Sequence, residues 1–499
     1  MVSLDRTMDT PPQGSDNARL VARNTLALIL SQFVTAPLSL LVNAVMGRYL
    51  GPEDFGLLYL LFTTTAFVFQ VVEWGQQATL TSMVARTPER TGVLLGSALA
   101  FRLPLGVAAY GISAASLLLL GHPASVQWPY LMAFVQSALA SVAAPFIAVL
   151  RGHERISLVV RVTVATALLG AAAQVGALLL GGRLTGFLWV NIAIAAFSLG
   201  ISIVLQRKVT TSVLKPEWQA TKVLARTGTT FMLLGAMLAL QPYVDAIILA
   251  RLAPAQVVGW YAAALKIQNV VIFPSTTLAT ALYPTLSRLH AESEQAWADL
   301  TRSALEAVAI FAVPASLGCL LFADVGISLF SRTTFGPAAD NLRMLSPFVF
   351  LVYFNIVLGT ALMAAGKQVR WAWAQSACVV ISLVADPLLV PLFQQRFGNG
   401  GLGIGVATVI SELMMAASAL LLAPRGLIGG ALFRTLLRTL IAGGAMCAAA
   451  LVTRSLGWPL SIAAALGTYA ATLFAIGGVG VEQRRLFTTV VANRLRRKI

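Results

Sequence analysis

The sequence predicts an all-α integral membrane protein of about fourteen transmembrane helices, built as two parallel six-helix repeats plus two extra C-terminal helices. Hydrophobic residues make up 58% of the 499 residues and charged residues only 11%, whereas soluble domains carry roughly 25% charged residues. Apolar runs of about 20 residues, enough to cross a hydrocarbon core of about 30 Å, recur along most of the chain. One turn pattern also occurs twice in the sequence.

The apolar runs define fourteen candidate spans. Within lipid only α-helices and closed β-barrels satisfy every backbone hydrogen bond, and runs of this length and uniformity indicate helices. The connections between the runs are short, so none is expected to hold a soluble domain. The predicted spans are approximately 24–47, 55–80, 92–120, 126–150, 157–181, 184–205, 227–250, 258–285, 303–330, 343–365, 370–395, 401–423, 434–455 and 458–480.

These spans group into six regions along the chain. The first 23 residues are polar and lack the apolar stretch and cleavage site of a signal peptide, so they are interpreted as a cytoplasmic tail. The predicted regions are a basic tail over 1–23, an N-lobe over 24–205, a cytoplasmic linker over 206–226, a C-lobe over 227–423, helices 13 and 14 over 424–480, and a basic tail over 481–499.

Basic residues set the predicted orientation. Of the 35 Lys and Arg residues, 25 lie in the two tails and the loops on their side, whereas 7 lie in the opposite loops. The positive-inside rule then places both termini in the cytoplasm. The net charge of +16 is explained by these segments lying beside anionic membrane lipids, so no nucleic-acid partner is expected.

The turn pattern that occurs twice joins spans 1 and 2 and spans 7 and 8. In each copy an Arg leads, a Pro follows and a Gly closes: Arg48, Pro52 and Gly56 in "RYLGPEDFG", and Arg251, Pro254 and Gly259 in "RLAPAQVVG". The Pro cannot continue the preceding helix, and the small residues permit a tight reversal. Because any helical hairpin needs such a turn, this pair alone does not establish a duplication.

Further pairs, in the same order along the chain, extend the match. Their offsets grow from 210 through 214 to 217 residues, as small insertions after a duplication would produce: Pro104 with Pro314, Gly152 with Gly366, and Gly186 with Gly403. Spans 1–6 and 7–12 are therefore predicted to be copies of one unit with the same orientation in the membrane. The two lobes are expected to enclose a central cavity, with helices 13 and 14 outside the duplication.

Two cations fall deep inside predicted spans. Arg102 lies about ten residues into span 3 and Lys266 about eight residues into span 8, or roughly 15 and 12 Å from the span ends. A charge near the bilayer centre costs about 2.5–3.5 kcal/mol on insertion scales, so each needs a partner or a polar cavity. We expect both to face the cavity and attract an anionic head group. The alternative is ion pairing within the helix bundle, and Asp245 is the candidate partner of Lys266.

Acidic residues within the spans have two interpretations. Asp245 in span 7 and Glu412 in span 12 are candidates for coupling to an ion, because a carboxylate in apolar surroundings protonates more readily. Structural hydrogen bonding or ion pairing is the alternative for both. Asp324 and Asp386 lie nearer the predicted outer ends of their spans and are interpreted as interfacial.

No constellation of catalytic residues appears in the chain. A phosphate-binding P-loop and paired-His metal motifs are both missing from the sequence, so neither a cofactor nor a metal is predicted. The three cysteines, Cys319, Cys378 and Cys447, are odd in number and lie in apolar segments. They suggest neither disulfides nor a metal site.

Several motifs resemble those of bacterial polysaccharide (O-antigen type) flippases, which belong to the multidrug/oligosaccharidyl-lipid/polysaccharide exporter superfamily. "GRYLGPEDFGLLYLLFTTTAF" is similar to the segment that follows the family's first helix. "YVDAIILARL" followed by "GWYAAALKI" resembles its helix 7–8 region, and "GLGIGVATVISE" resembles the start of its helix 12. The resemblance extends over about residues 20–480.

The resemblance implies a two-lobed transporter in the bacterial inner membrane. Such proteins move undecaprenyl-pyrophosphate-linked oligosaccharides from the cytoplasmic to the outer leaflet by alternating access, and they serve cell-surface polysaccharide assembly alongside other assembly proteins. A cationic cavity recurs in the family, which fits the interpretation of Arg102 and Lys266. Trp74, Tyr243 and Trp260 are candidates for stacking on sugars, and anchoring at the membrane interface is the alternative for the two Trp residues.

Two other functions compete with the flippase. An ion-coupled drug antiporter of the same superfamily would be expected to have a cavity dominated by acidic and aromatic residues. An integral-membrane sugar polymerase or glycosyltransferase would need a long loop carrying paired carboxylates or Arg. Cations are at least as prominent as acids at mid-depth in this sequence, and the loops are short. Both features favour the flippase.

Overall fold

The computed structural model describes residues 13–119, 124–423, 427 and 429–478. Every regular element within these residues is helical, which confirms the predicted all-α class. Residues 1–12 and 479–499, which hold most of the two predicted basic tails, lie outside the described part. The helix α1 already begins at Gln13, inside the region predicted as the N-terminal tail.

Sixteen α-helices make up the described fold. The first eight are α1 (Gln13–Glu73), α2 (Gln76–Arg86), α3 (Thr91–Leu119), α4 (Ala124–Gly152), α5 (Ile156–Leu179), α6 (Arg183–Val209), α7 (Trp218–Leu252) and α8 (Ala255–Glu292). The second eight are α9 (Glu294–Leu321), α10 (Ala323–Ile327), α11 (Ala338–Met344), α12 (Ser346–Ala364), α13 (Gln368–Phe397), α14 (Gly401–Leu422), α15 (Gly430–Val452) and α16 (Trp458–Ala475).

The helices agree with the fourteen predicted spans. Twelve helical segments of the described chain are long and apolar enough to cross a membrane, and one of them runs for 57 residues from Leu30 to Arg86. At 1.5 Å per residue that segment is about 85 Å long, far more than one crossing requires. It divides at Gly51, which has a positive φ of 78°. The bent helix α7, with an angle of 42° at its break, supplies the remaining span.

The described chain forms two compact units. The first contains the described residues up to Val42 together with Thr65–Ala236, and the second contains Asn43–Thr64 and the described residues from Met237 onward. The unit boundaries therefore fall inside α1 and α7 rather than in a loop. The predicted N-lobe over 24–205 and C-lobe over 227–423 remain a prediction about the duplication.

Each unit has its own apolar core, and the order of helix packing repeats. In the first unit Leu80, Leu95, Phe146 and Leu224 pack together, with exposed fractions of 0–6%. There α3 packs on α4, α4 on α6, and α5 on α6. In the second unit the equivalent helices contact in the same pattern: α9 on α12, α12 on α14, and α13 on α14. The helices α15 and α16 add to this unit by packing on each other and, through α15, on α9.

The two copies of the repeated turn pack against each other within the second unit. A Cβ atom on Gly56 would lie 2.5 Å from the Ala255 carbonyl oxygen and 2.6 Å from the Gly259 nitrogen. A Cβ atom on Gly259 would collide with the Pro52 carbonyl oxygen. The backbones of α1 and α8 thus meet with no side chain between them, as small residues allow at helix crossings in membranes.

The residues beside this crossing make different contacts in the two copies of the turn. The Arg48 guanidinium donates through Nε to the Leu329 carbonyl oxygen at 2.7 Å. Phe55 is 1% exposed and makes edge-to-face contacts with Phe330 and Phe335. In the second copy, Pro254 is the N-cap of α8 and Arg251 is exposed. Only the first copy therefore anchors its Arg to a neighbouring segment in the described structure.

The close crossing predicts that Gly259→Ala, which adds only one methyl group, lowers the free energy of unfolding substantially. The added methyl group meets backbone rather than a flexible side chain, and overpacking of this kind costs about 1–3 kcal/mol. Thermal unfolding of the purified protein in detergent measures the effect. Gly318→Ala is the matched control, because a Cβ atom there meets nothing within 4 Å. Equal unfolding temperatures for the two variants would contradict the close crossing.

Candidate functional site

Two buried carboxyl groups face each other in the second unit. Asp245 on α7 is 6% exposed and Asp386 on α13 is 0% exposed. The Asp245 side chain lies within hydrogen-bonding reach of both Asp386 and Ser382. A hydrogen bond between two carboxyl groups requires a proton on one of them. When both are ionised, Asp245 Oδ1 and both carboxylate oxygens of Asp386 have no donor.

Hydroxyl groups surround this acid pair. Ser382, one turn before Asp386 on α13, lies within hydrogen-bonding reach of the Asp245 carboxyl. Tyr59 and Tyr261 lie close enough to interact electrostatically with Asp245. Hard oxygen donors such as carboxylates and hydroxyls suit a proton or a hard cation. Among the described residues, no group of three or more His, Cys, Asp or Glu side chains is arranged to hold a metal ion.

Lys266 does not neutralise the acid pair. It lies half-buried on α8, and none of the ion pairs among the described residues involves it. Asp245 lies within hydrogen-bonding reach of groups on α13, and no ion pair joins it to Lys266 among the described residues. A cation within a membrane helix that has no acidic partner commonly faces a polar cavity or a ligand. The substrate-binding role of Lys266 remains a prediction.

Glu412 on α14 has a protein partner. Asn355 on α12 donates through Nδ2 to Glu412 Oε2 at 3.1 Å and to the Glu412 carbonyl oxygen at 2.9 Å. Asn355 is itself 4% exposed, and its Oδ1 has no donor. The pair links two helices of the second unit, which is what the structural interpretation of Glu412 expects. Its role in ion coupling remains a prediction.

Arg102 in the first unit is held by three protein acceptors. The side chain is 2% exposed. It donates through Nε to Gln76 Oε1 at 3.1 Å, through Nη1 to the Ser141 carbonyl oxygen at 2.6 Å, and through Nη2 to the Glu73 carbonyl oxygen at 3.3 Å. It also lines an apolar cavity of about 350 Å³ between α3 and α4. All three of its guanidinium nitrogens therefore have a partner within the unit.

Both backbone acceptors of Arg102 lack the usual helical donor. Ser141 lies four residues before Pro145, which has no N–H to offer its carbonyl oxygen. Glu73 ends α1, and the nitrogen four residues later, on Gln77, binds the Glu73 side-chain carboxylate instead. Freed carbonyl groups in a membrane must find donors inside the protein. Arg102 supplies them, so the structure gives this residue a bracing role.

The break that Arg102 braces lies between α1 and α2, at Trp74 and Gly75. Both have positive φ angles, 53° and 65°. The Trp74 indole N–H lies 3.2 Å from both the Ala225 carbonyl oxygen and Thr229 Oγ1 on α7. A Cβ atom on Gly75 or Gly228 would collide with the opposing backbone. The broken helix is therefore clamped to α7 on one side and held by Arg102 on the other.

The predicted sugar-stacking aromatics occupy different settings. The Trp74 indole is used in the clamp just described, and its ring also packs edge-to-face on Phe101. Trp260 donates from its indole nitrogen to the Thr334 carbonyl oxygen at 2.8 Å, and Tyr243 is half-buried on α7. Contact of these rings with a sugar remains a prediction for all three.

Sequence reasoning underestimated Asp386. It was interpreted as interfacial because it precedes Pro387 towards the end of a span, whereas the structure buries it completely. The helix α13 continues to Phe397, eleven residues further and about 16 Å at 1.5 Å per residue. That depth was a usable signal. By contrast Asp324, also interpreted as interfacial, is half-exposed and ion-paired with Arg343.

The bracing role predicts that Arg102→Ala destabilises the protein. Two backbone carbonyls and Gln76 Oε1 lose their donor, and hydrogen bonds to a charged group contribute about 1.5–3 kcal/mol each. Thermal unfolding in detergent and abundance in the membrane should both fall. Arg161→Ala, which removes an exposed Arg of α5, is the control. Normal stability with loss of glycan export would instead support Arg102 as a substrate-binding residue.

Comparisons with known proteins match this architecture. The chain is 22% identical over 403 residues to the probable low-salt glycan biosynthesis flippase Agl15 of Haloferax volcanii, covering 78% of this chain and 81% of that protein. The lipid II flippase MurJ in an inward closed conformation superposes with a TM-score of 0.73 at 12% identity, covering 92% of this chain and 99% of MurJ. An inward-facing multidrug resistance MATE family transporter of the MOP superfamily superposes with a TM-score of 0.64 at 15% identity, covering 82% of this chain and 99% of that transporter.

The structural likeness shows only a shared fold of many membrane helices. The family itself is shown by a match to a family model. The family described as polysaccharide biosynthesis protein matches residues 21–290, which is more than half of the chain. The resemblance seen in the motifs is thereby confirmed. This chain belongs to the polysaccharide biosynthesis protein family.

Proposed function

We propose that this protein flips an oligosaccharide linked to an undecaprenyl-pyrophosphate type carrier from the cytoplasmic to the outer leaflet by alternating access. The protein would lie in the bacterial inner membrane with both termini in the cytoplasm. It would serve the export of a cell-surface polysaccharide together with other assembly proteins. Family membership supports a glycan substrate. The proposal for the carrier rests on Lys266.

Lys266 is the observation that favours a pyrophosphate carrier. It is a membrane-embedded cation with no acidic partner among the described residues. A pyrophosphate brings the negative charge that such a site lacks, and Lys binds phosphate as a mobile point charge. An organic-cation substrate would instead be repelled by it. The bracing of Arg102 leaves Lys266 as the better candidate for this contact.

The proposed substrate is tested by removing the gene and isolating the lipid-linked glycan that accumulates. We expect the carrier-linked oligosaccharide to build up and surface glycan to disappear. When the gene is supplied again, the Lys266→Gln variant should export glycan at least about tenfold more slowly than the wild type at equal protein abundance. That factor corresponds to about 1.4 kcal/mol of lost binding free energy. Lys266→Arg should restore export, because the charge is kept.

The control for this test is Lys222→Gln, which removes an exposed Lys stacked on Trp218. It should leave export unchanged. Two results would refute the proposal: no accumulation of a lipid-linked glycan when the gene is absent, or full export by the Lys266→Gln variant.

The acid pair is the proposed site of energy coupling. With both carboxylates ionised and three oxygens without donors, Asp245 and Asp386 need a cation between them. That cation is either a proton shared by the two carboxyls or an alkali-metal ion held by their oxygens and the neighbouring hydroxyls. Binding and release of this cation would bias the conformations of the transporter, which requires only that the conformations differ in cation affinity.

The variants Asp386→Asn and Asp245→Asn show whether the cation is a proton or sodium. If the ion is sodium, NaCl raises the unfolding temperature of the wild type above its value in choline chloride, and both variants lose this response. A ligand at 100 times its Kd stabilises by about 2.7 kcal/mol. If the cation is a proton, sodium has no effect, and the neutral variants are at least as stable as the wild type at pH 8. In either case glycan export is lost.

Asp340→Asn serves as the control, because that acid is exposed and paired with Arg343. It should retain both export and the wild-type response to sodium. Export at the wild-type rate by either acid-pair variant would exclude this site from coupling, while leaving the lipid-linked substrate untouched.

A further inference from the structure

A polar pocket of about 250 Å³ opens where α15 begins, between that helix, α9 and the end of α16. Its lining includes Glu306, Ile310, Arg434, Thr435, Arg438 and Gly477. The two helices α15 and α16 stand outside the predicted duplication, and they pack on α9 through the buried residues Val313, Met446 and Tyr469. The pocket therefore lies where the two helices outside the repeats meet α9 of the second unit. Its volume is several times the roughly 30 Å³ that a liquid water molecule occupies.

The charged groups in the pocket have no charged partners. Arg434 and Arg438 lie one helical turn apart on the same face of α15, where like charges repel. Neither forms an ion pair with any described residue, and the same holds for Glu306. The neighbouring Arg302 is not available to Glu306, because it is paired with Asp299 and also donates to the Leu427 carbonyl oxygen.

The two guanidinium groups keep most of their donors free for a ligand. Arg438 donates through Nη1 to the Gly477 carbonyl oxygen at 2.9 Å, which fixes it against the end of α16. Arg434 donates through Nε to the Gly430 carbonyl oxygen at 3.2 Å. Each guanidinium has five N–H groups in a rigid fork suited to phosphate oxygens. The nitrogens that remain can therefore bind one phosphate from two sides.

The position of the pocket along α15 matches the head-group layer of a membrane. Arg434 and Arg438 lie four and eight residues after Gly430, the first residue of the helix, or about 6 and 12 Å along its axis. Phe433, Leu437 and Leu440 lie beside them and are 50–66% exposed, so they form an apolar face for acyl chains. A free phosphate would make no use of that face, whereas a phospholipid would use both features.

We propose that this pocket binds the head group of an aminophospholipid, with its phosphodiester between Arg434 and Arg438 and its ammonium group at Glu306. The carboxylate makes a purely anionic head group less favourable, and a primary ammonium offers three N–H donors to it. A quaternary choline head group offers none. This binding site does not depend on the transported substrate or on the direction of transport.

The test is lipid retention by the purified full-length protein in detergent, measured by native mass spectrometry. The probes are phosphatidylethanolamine, phosphatidylglycerol and phosphatidylcholine with identical acyl chains. The wild type should retain phosphatidylethanolamine at least about fivefold better than either other lipid, as expected for one additional charge contact of about 1 kcal/mol. Glu306→Gln should abolish the preference over phosphatidylglycerol, and Arg434→Gln should weaken retention of all three lipids.

Arg454→Gln is the matched control, because Arg454 lies beyond the opposite end of α15. It should leave the lipid preference unchanged. Thermal unfolding without added lipid shows whether each variant is folded, and Glu306→Gln tests the preference without touching the Arg438 contact to α16. Equal retention of the three lipids by the wild type, or an unchanged preference in Glu306→Gln, would overturn the proposal.

Discussion

Hydrocarbon offers no hydrogen-bond partners, so every polar group within the membrane must be satisfied by the protein or by its ligand. This constraint separates the embedded charges of the chain into two kinds. Arg102 is fully engaged, because it donates to two carbonyl groups that a helix break and Pro145 leave without partners. Asp245 and Asp386 are not satisfied when both are ionised. The first arrangement stabilises a distorted helix, and the second leaves three carboxylate oxygens without a donor.

The order of helix packing repeats in the two units, whereas their buried polar residues differ. The two copies of the repeated turn pack on each other, with Gly56 against Gly259 and no side chains between them. The braced break at Trp74 and Gly75 lies in the first unit, and the acid pair lies in the second. Duplicated halves can thus keep their contact geometry while individual helices acquire different polar residues.

The sequence predicts the helical spans better than it predicts the depth and the partners of the charged residues within them. Span number depends on apolar length, which is directly readable. Partners depend on how each helix is rotated, and a helix that is apolar all round gives no amphipathic stripe to fix its rotation. The sequence therefore leaves open whether Asp245 pairs with Lys266, whereas in the structure Asp245 lies within hydrogen-bonding reach of Asp386 on α13. The break at Trp74 is likewise hidden within a continuous apolar run.

The proposed coupling of glycan movement to a cation at the acid pair is the step on which transport against a gradient would depend. Its most direct test is flipping of a fluorescent lipid-linked oligosaccharide in proteoliposomes under an imposed sodium or pH gradient. The wild type should flip faster under one of the two gradients, and Asp386→Asn should flip at the rate seen without a gradient. Identical wild-type rates with and without both gradients would contradict the account.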